Sequence, residues 1–392
     1  MTTTERQVLW TTSSSHALIH VYELSVPALL ILIQTEFDAG DFTMGRVVTL
    51  FGLFFGLGAL PAGFLVDRLG ARFLLTACLW GGAASMAGMA LSPSLGWFTV
   101  CASCLGLALS IYHPAGTALI SNSLPLSGRV FAAHGMAGNL GVAASSVIAG
   151  SLGAAFGWRW GLGLLSLLGL VLGLRVSTLP KLPMTEVRQR SGRGRWPYYV
   201  ILLVAMAFLG MIYRGMTTFL PKLFATQYAE GTGSGAALGG LMTTAALLVG
   251  LLGMYVAGRA VDRGVAPARA FLIGAVLQAP FLLSIAWASG SALLPLMMAA
   301  VFFHFFTQPA ANYLVADFVP PRVRGLGYGI YFFVAFGTGS LGATYGGWFS
   351  ERVGLPQTFA AFAVLLVPAI TAAIVLTRFR PADAGAERSA DA

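Results

Sequence analysis

Two ionisable residues stand where charge is otherwise scarce: Glu23 inside the apolar run 12–34, and Arg214 inside 197–222. A charge kept in such a run has to be partnered and by default marks a site that handles ions or ligands. The spacing around Glu23 adds chemistry. His16 and His20 are four residues apart, and Glu23 follows His20 by three, so on a helix all three project from one face. An imidazole titrates near neutral pH and can exchange a proton with an adjacent carboxylate. This predicts Glu23 as a proton and cation site, His20 as its titrating neighbour, and Arg214 as counter-charge or anion contact. The plainer alternative is an ion pair that holds two parts of the chain together.

A second pattern lies in the other half of the sequence. His304, Gln308 and Asn312 recur every four residues in an otherwise apolar run, a polar stripe that reads as cavity-lining and able to hydrogen-bond a substrate. Asn139, Tyr328 and Tyr331 are further candidates for the transport site. His113 and His134 either join it or tie neighbouring helices together. Histidines with a carboxylate also suit divalent transition metals, so His16, His20, Glu23 and His304, with His113 and His134, form an alternative metal-ligand set.

The elements that position these residues follow from composition. Of 392 residues, 57% are hydrophobic and 9% charged, with mean hydropathy +0.80. Soluble domains carry roughly 25% charged residues, so the chain cannot coat itself for water, which excludes a soluble enzyme, a disordered protein and a nucleic-acid binder despite a net charge of +9. Cys78, Cys101 and Cys104 lie in apolar runs without metal-motif spacing and are odd in number, so neither a disulfide framework nor a zinc site is expected. About 20 apolar residues cross a bilayer. Uninterrupted runs fall at 47–66, 73–128 (two spans, broken near Ser92–Ser94), 130–158, 160–174, 231–258, 270–316 (two, broken near Ser289–Ser291), 325–350 and 353–377. Adding 12–34 and 197–222 predicts an all-α integral membrane protein of twelve transmembrane helices.

The basic residues set the orientation. With the amino terminus inside, 18 of the 23 Lys and Arg fall in cytoplasmic segments, and Arg46, Arg159, Lys222 and Arg352 opposite. This predicts both termini in the cytoplasm of an inner (plasma) membrane. The amino-terminal MTTTERQVLW lacks a charged region followed by a cleavage site, so the first helix is expected to be retained. Trp10, Trp97, Trp158, Trp160, Trp196 and Trp348 fall near span ends, as interfacial anchors do.

A shift of 195 residues superposes the halves. Asp67 and Arg68 fall on Asp262 and Arg263, Pro114 on Pro309, and Arg129 on Arg324. Chance matches of Asp, Arg and Pro at one register are rare in this composition. The expected organisation is a six-helix bundle at 1–180, a basic cytoplasmic linker at 181–196, a second bundle at 197–380 and a disordered tail at 381–392. Glycines such as Gly52, Gly56, Gly138, Gly141, Gly253 and Gly342 are expected at close helix crossings, and Pro114 and Pro309 at kinks.

After the second helix, Gly63-Phe-Leu-Val-Asp67-Arg68-Leu-Gly70-Ala-Arg72 resembles the G-x-L-a-D-R-x-G-R-R loop of the major facilitator superfamily, with a degenerate copy at Gly258…Asp262-Arg263. The resemblance implies two pseudo-symmetric six-helix halves and a cytoplasmic gate latch of Gly63, Asp67, Arg68, Gly70 and Arg72, repeated at Asp262 and Arg263. Gly63 is expected to allow close helix packing. A narrower resemblance, to fosmidomycin-resistance-type exporters, rests on Ser15-His16…Tyr22…Pro27, Tyr112-His113-Pro114 and Gly138-Asn139-Leu140-Gly141, and adds Tyr22 to the binding residues. The chain departs from that pattern at His20 and Ala115, where acidic residues are expected, so proton coupling through those positions does not carry over.

The expectation is a monomeric secondary transporter exporting a small organic molecule in exchange for protons by alternating access. It needs no cofactor, the proton gradient supplying energy. Its partners are substrate, protons and the lipid bilayer, with no nucleic acid. No Walker A loop, Rossmann fingerprint or triad spacing occurs, so neither ATP drive nor enzymatic activity is expected. The alternatives are a divalent transition-metal transporter and, in another class, a non-transporting membrane sensor, which would carry a large soluble appendage.

Overall fold

The computed structural model describes residues 2–123, 128–179, 194–229, 232–320 and 323–378, leaving out the side chains of residues 67, 121–123, 128–132, 232, 233 and 324. No strand occurs among the described residues. The membrane-crossing helices are α1 (Thr3–Ala28, continued by Leu30–Phe37 after a 49° bend), α2 (Asp41–Val66), α3 (Ala71–Ala90), α4 (Leu95–Ile120), α5 (Ala133–Phe156) and α6 (Trp158–Ser177). They continue with α7 (Trp196–Tyr228), α8 (Ser234–Asp262), α9 (Pro267–Ile285), α10 (Gly290–Phe318), α11 (Gly325–Val353) and α12 (Leu355–Thr377). Among the described residues, eleven are long and apolar enough to cross on their own and α1 is so as a bent pair, giving the expected twelve.

Boundaries follow local chemistry. The first helix begins at Thr3 rather than near residue 12, because Thr2 and Glu5 form a capping box: the Thr2 hydroxyl accepts the Glu5 N–H, and the Glu5 carboxylate accepts the Thr2 N–H at 2.7 Å. Beyond its membrane span the helix of α2 runs to Leu69 and is capped by Gly70 at φ +84°, a left-handed conformation that favours glycine. Proline sets several bends by displacing the carbonyl four residues back. Pro27 opposes the Glu23 carbonyl just before the bend in α1. Pro114 opposes Ser110, where the helix of α4 is interrupted, and Pro368 opposes Val364, beside the interruption at Leu365 in α12. Pro309 is accommodated without interrupting α10, so of the two expected kinks only that at Pro114 breaks the helix.

The helix pairings repeat. α1 packs on α5 as α7 packs on α11, α2 on α4 as α8 on α10, and α3 on α6 as α9 on α12. Between the two sets, α2 packs on α11 and α5 on α8. The expected linker and tail lie almost wholly outside the described residues. Apolar side chains such as Leu167, Val171 and Leu174 on α6 and Val364 and Val367 on α12 are more than half exposed, as a lipid-facing rim requires.

The α5–α8 and α2–α11 crossings depend on absent side chains. A Cβ on Gly240 would strike the Ser146 carbonyl and one on Gly150 the Ala236 carbonyl, while Gly56 lies against Gly337. Gly63 is different: nothing lies within 4 Å of where its Cβ would be, so the expected close packing is absent there. It faces outward one turn before the end of α2, without a neighbouring helix. Trp158 also departs from expectation. It is buried between Phe37 and Phe98, and its indole N–H donates to Glu36 at 2.6 Å; the other five tryptophans named above are exposed.

Gly240→Val overpacks a helix crossing at a cost of about 1–3 kcal/mol, so its thermal unfolding midpoint in detergent is expected several degrees below wild type. Gly63→Ala, at an open position, stays within about 0.5 kcal/mol of it. Equal midpoints for the two variants would contradict this assignment of the crossings.

Candidate functional site

A cavity of about 200 Å³ lies between α1, α4 and α5 on one side and α7, α10 and α11 on the other. At about 30 Å³ per water, it holds several waters or a small molecule. The first wall contributes His16, His20, His113 and Asn139, and the second Tyr213, His304, Gln308, Asn312 and Tyr331, with Phe305, Phe332 and Phe336 supplying apolar surface. The polar stripe on α10 therefore faces the cavity along its length. His304 is buried, stacks on Tyr213 with centroids 5.7 Å apart, and receives at Nδ1 the Gln278 amide at 3.2 Å. On the neutral ring that leaves Nε2 as a donor. Tyr331 Oη reaches Met206 Sδ at 3.8 Å, and Tyr328 donates to the Asn312 carbonyl at 3.0 Å.

Beyond the cavity's inner end, Arg214 Nη2 meets Glu23 Oε1 at 2.5 Å, with both side chains essentially inaccessible. The other Glu23 oxygen receives His20 Nδ1 at 2.7 Å, and His20 Nε2 lies 3.3 Å from His16 Nε2. His16 Nδ1 meets the His134 backbone carbonyl at 2.9 Å. One polar chain thus runs from Arg214 on α7 through Glu23, His20 and His16 on α1 to α5. Arg214 Nε and Nη1 are buried without hydrogen-bond partners, and the guanidinium lies 5.6 Å from the Phe51 ring centroid, a cation–π contact. Arg214 is fully buried. Breaking such a pair by removing one partner costs about 3–5 kcal/mol, because it strands the other charge.

Several expected residues fall elsewhere. Tyr22 does not line the cavity: its hydroxyl donates to the Leu165 carbonyl at 2.9 Å and accepts the Gly169 N–H at 3.0 Å, tying α1 to α6. Glu23 and His304 do not join the metal-ligand group, since Arg214 and His20 occupy both Glu23 oxygens and His304 stands on the opposite wall. Among the described residues, the group with metal-ligand spacing is His16, His20 and His113. In the latch, the Asp67 side chain lies outside the described residues. Arg68 covers the Phe64 ring at 4.1 Å, and Arg72 donates to the Leu179 carbonyl at 2.5 Å, tying α3 to the end of α6. Asp262 and Arg263 are exposed.

The opposite end of the bundle holds a polar cluster that the sequence reading missed. Asp41, at the start of α2, receives Lys222 Nζ of α7 at 2.5 Å, Ser350 Oγ of α11 at 2.5 Å and Gln34 Nε2 of α1 at 2.7 Å. Glu351 accepts the Phe42 N–H at 2.8 Å. Charges at span ends are ordinary in membrane helices. The available signal was Lys222 and Asp41 facing each other across the same end, which needs the helix arrangement to be seen.

No curated protein sequence matches the chain. Among solved structures, it resembles a bacterial homologue of the human lysosomal transporter Spinster, in an inward-facing and unoccupied conformation, with TM-score 0.82 and 16% identity, covering 97% of this chain and 100% of that one. It also resembles a D-xylose–proton symporter (TM-score 0.78, 15% identity, 95% and 98% covered) and a nucleoside transporter (0.76, 14%, 95% and 99%). At these identities the likeness shows the fold. The family model described as Major Facilitator Superfamily matches residues 17–335 and 223–392. This chain is a membrane transporter belonging to the Major Facilitator Superfamily.

Proposed function

We propose that this protein is a proton-coupled antiporter that exports a small organic molecule by alternating access, with both termini on the cytoplasmic side of an inner membrane. The observation that carries the reading is the buried Glu23–Arg214 pair. It joins the first helix of one repeat to the first helix of the other, next to the cavity and in line with two histidines. A proton arriving through the cavity passes His16 and His20 to Glu23. Neutralising Glu23 removes the partner of Arg214 and loosens the contact between α1 and α7. Substrate takes hydrogen bonds from His304, Gln308 and Asn312 and packs on the aromatic residues beside them. A relative of the same fold is by name a D-xylose–proton symporter, so the fold is compatible with proton-driven movement.

The cavity occupies the end of the bundle nearer the cationic loops, and the Asp41 cluster closes the other end. On this reading the conformation is inward-facing. Asp41, Lys222 and Ser350 then form the outer closure, and Asp67, Arg68, Gly70 and Arg72, with Asp262 and Arg263, belong to the inner latch. The organisation into bundles 1–180 and 197–380 is part of the same proposal and is supported by the repeated helix pairings; that the transporter acts as a monomer is proposed with it.

Glu23→Gln keeps a hydrogen-bonding group beside Arg214 but cannot release a proton. In proteoliposomes it is expected to abolish pH-dependent transport while size exclusion and thermal unfolding show a folded protein. Full proton-driven activity in that variant would remove Glu23 from the mechanism.

Asp41→Asn discharges the closed end and should favour opening there. In a chain whose native cysteines are replaced, a cysteine introduced at Thr344, beneath the cluster, is expected to react with an impermeant maleimide several-fold faster once Asp41 is changed. An unchanged rate would mean that Asp41 does not hold this end shut.

A further inference from the structure

The hydrogen atoms on two imidazoles are fixed by their partners. His16 Nδ1 faces a backbone carbonyl, which only accepts, so Nδ1 carries the proton. His20 Nδ1 faces Glu23, ionised by its contact with Arg214, so this nitrogen also carries the proton. In the neutral rings both Nε2 atoms therefore carry bare lone pairs, and the two atoms lie 3.3 Å apart. Two lone pairs at that distance repel unless a cation lies between them.

The spacing matches a metal. Two ligands about 2.05 Å from a tetrahedral ion lie roughly 3.3 Å apart. A third imidazole lies beside them: His16, His20 and His113 offer ring nitrogens that all lie within 4.8 Å of one another. His113 Nε2 is buried and has no hydrogen-bond partner. The surroundings have the form expected around metal-bound histidine, whose second nitrogen donates to a carboxylate or a backbone carbonyl; here those are Glu23 for His20 and the His134 carbonyl for His16. All three rings also line the central cavity, which leaves a fourth position open to solvent or cargo.

We infer that His16, His20 and His113 bind a divalent transition-metal ion, with an open coordination position facing the cavity. Three neutral nitrogen ligands favour Zn²⁺, Co²⁺, Ni²⁺ or Cu²⁺ over Mg²⁺ or Ca²⁺, which take oxygen. The inference does not rest on proton coupling, because it concerns equilibrium binding to the resting protein.

The test uses full-length protein in detergent with any polyhistidine tag removed. Titration with Co²⁺ alone is expected to give the intense visible absorption of a four-coordinate ion, saturating at one per chain and abolished by Zn²⁺. His16→Gln and His113→Gln should each weaken binding more than about tenfold, whereas Asp317→Asn should not. Absence of saturable binding to folded protein, or binding unchanged in the His16→Gln, His113→Gln double variant, would overturn the site. X-ray absorption of Zn²⁺-loaded wild-type protein requires no variant. It is expected to show three imidazole nitrogens at about 2.0–2.1 Å, and a shell of oxygen or sulfur alone would equally overturn it. Loss of pH-dependent transport in Glu23→Gln is read separately, so each idea can fail without the other.

Discussion

A charge buried in hydrocarbon has to be answered by another, and in this molecule the answer comes from across the bundle. Glu23 and Arg214 lie on helices related by the internal repeat, and neither has water to fall back on. The pair therefore fixes how α1 and α7 sit against each other. It also decides the ionisation of Glu23, hence which nitrogen of His20 holds a hydrogen, hence which way the remaining lone pair points. Geometry several ångströms away in the cavity wall follows from this one contact.

The second constraint is asymmetry between the ends. One end is stitched by Asp41, which gathers donors from three other helices, while the other widens into a cavity lined by histidines, amides and aromatic rings. Glycine-to-backbone contacts at the α5–α8 and α2–α11 crossings let these helices approach closely there. Side chains add to these contacts: Thr49 hydrogen-bonds to Ser340 and Thr344 across α2–α11, and the Thr244 hydroxyl accepts the Val147 N–H across α5–α8. A structure tied by charged contacts at one end and hollowed by a cavity towards the other is suited to rocking.

Much of this was legible in the sequence because charge is so rare there. The spans and the breaks near Ser92–Ser94 and Ser289–Ser291 follow from where polar residues and turns interrupt apolar runs. Glu23 and Arg214 were conspicuous for the same reason, and the period of four on α10 correctly put His304, Gln308 and Asn312 on one surface. What failed was anything requiring the rotation of a helix about its axis. A helix apolar on every side carries little record of which side meets which neighbour, so Tyr22 was grouped with the cavity although it faces α6. His113 joins His16 and His20 only because α4 brings it there. Asp41 and Lys222 were unremarkable as sequence, since span ends normally carry charge.

The His134 carbonyl holds the hydrogen of His16 in place. That acceptor belongs to the main chain, so replacing the residue 134 side chain leaves the acceptor itself in place. What such a replacement removes is the His134 ring stacked on His16 with centroids 4.3 Å apart, not the acceptor that sets the tautomer. A slip of α5 along α1 by a single residue would be different: it would withdraw the acceptor, free the ring to carry its hydrogen on either nitrogen, and erase the directionality of the site. The information that orients this imidazole is stored in the register between two helices, where comparing side chains would never find it.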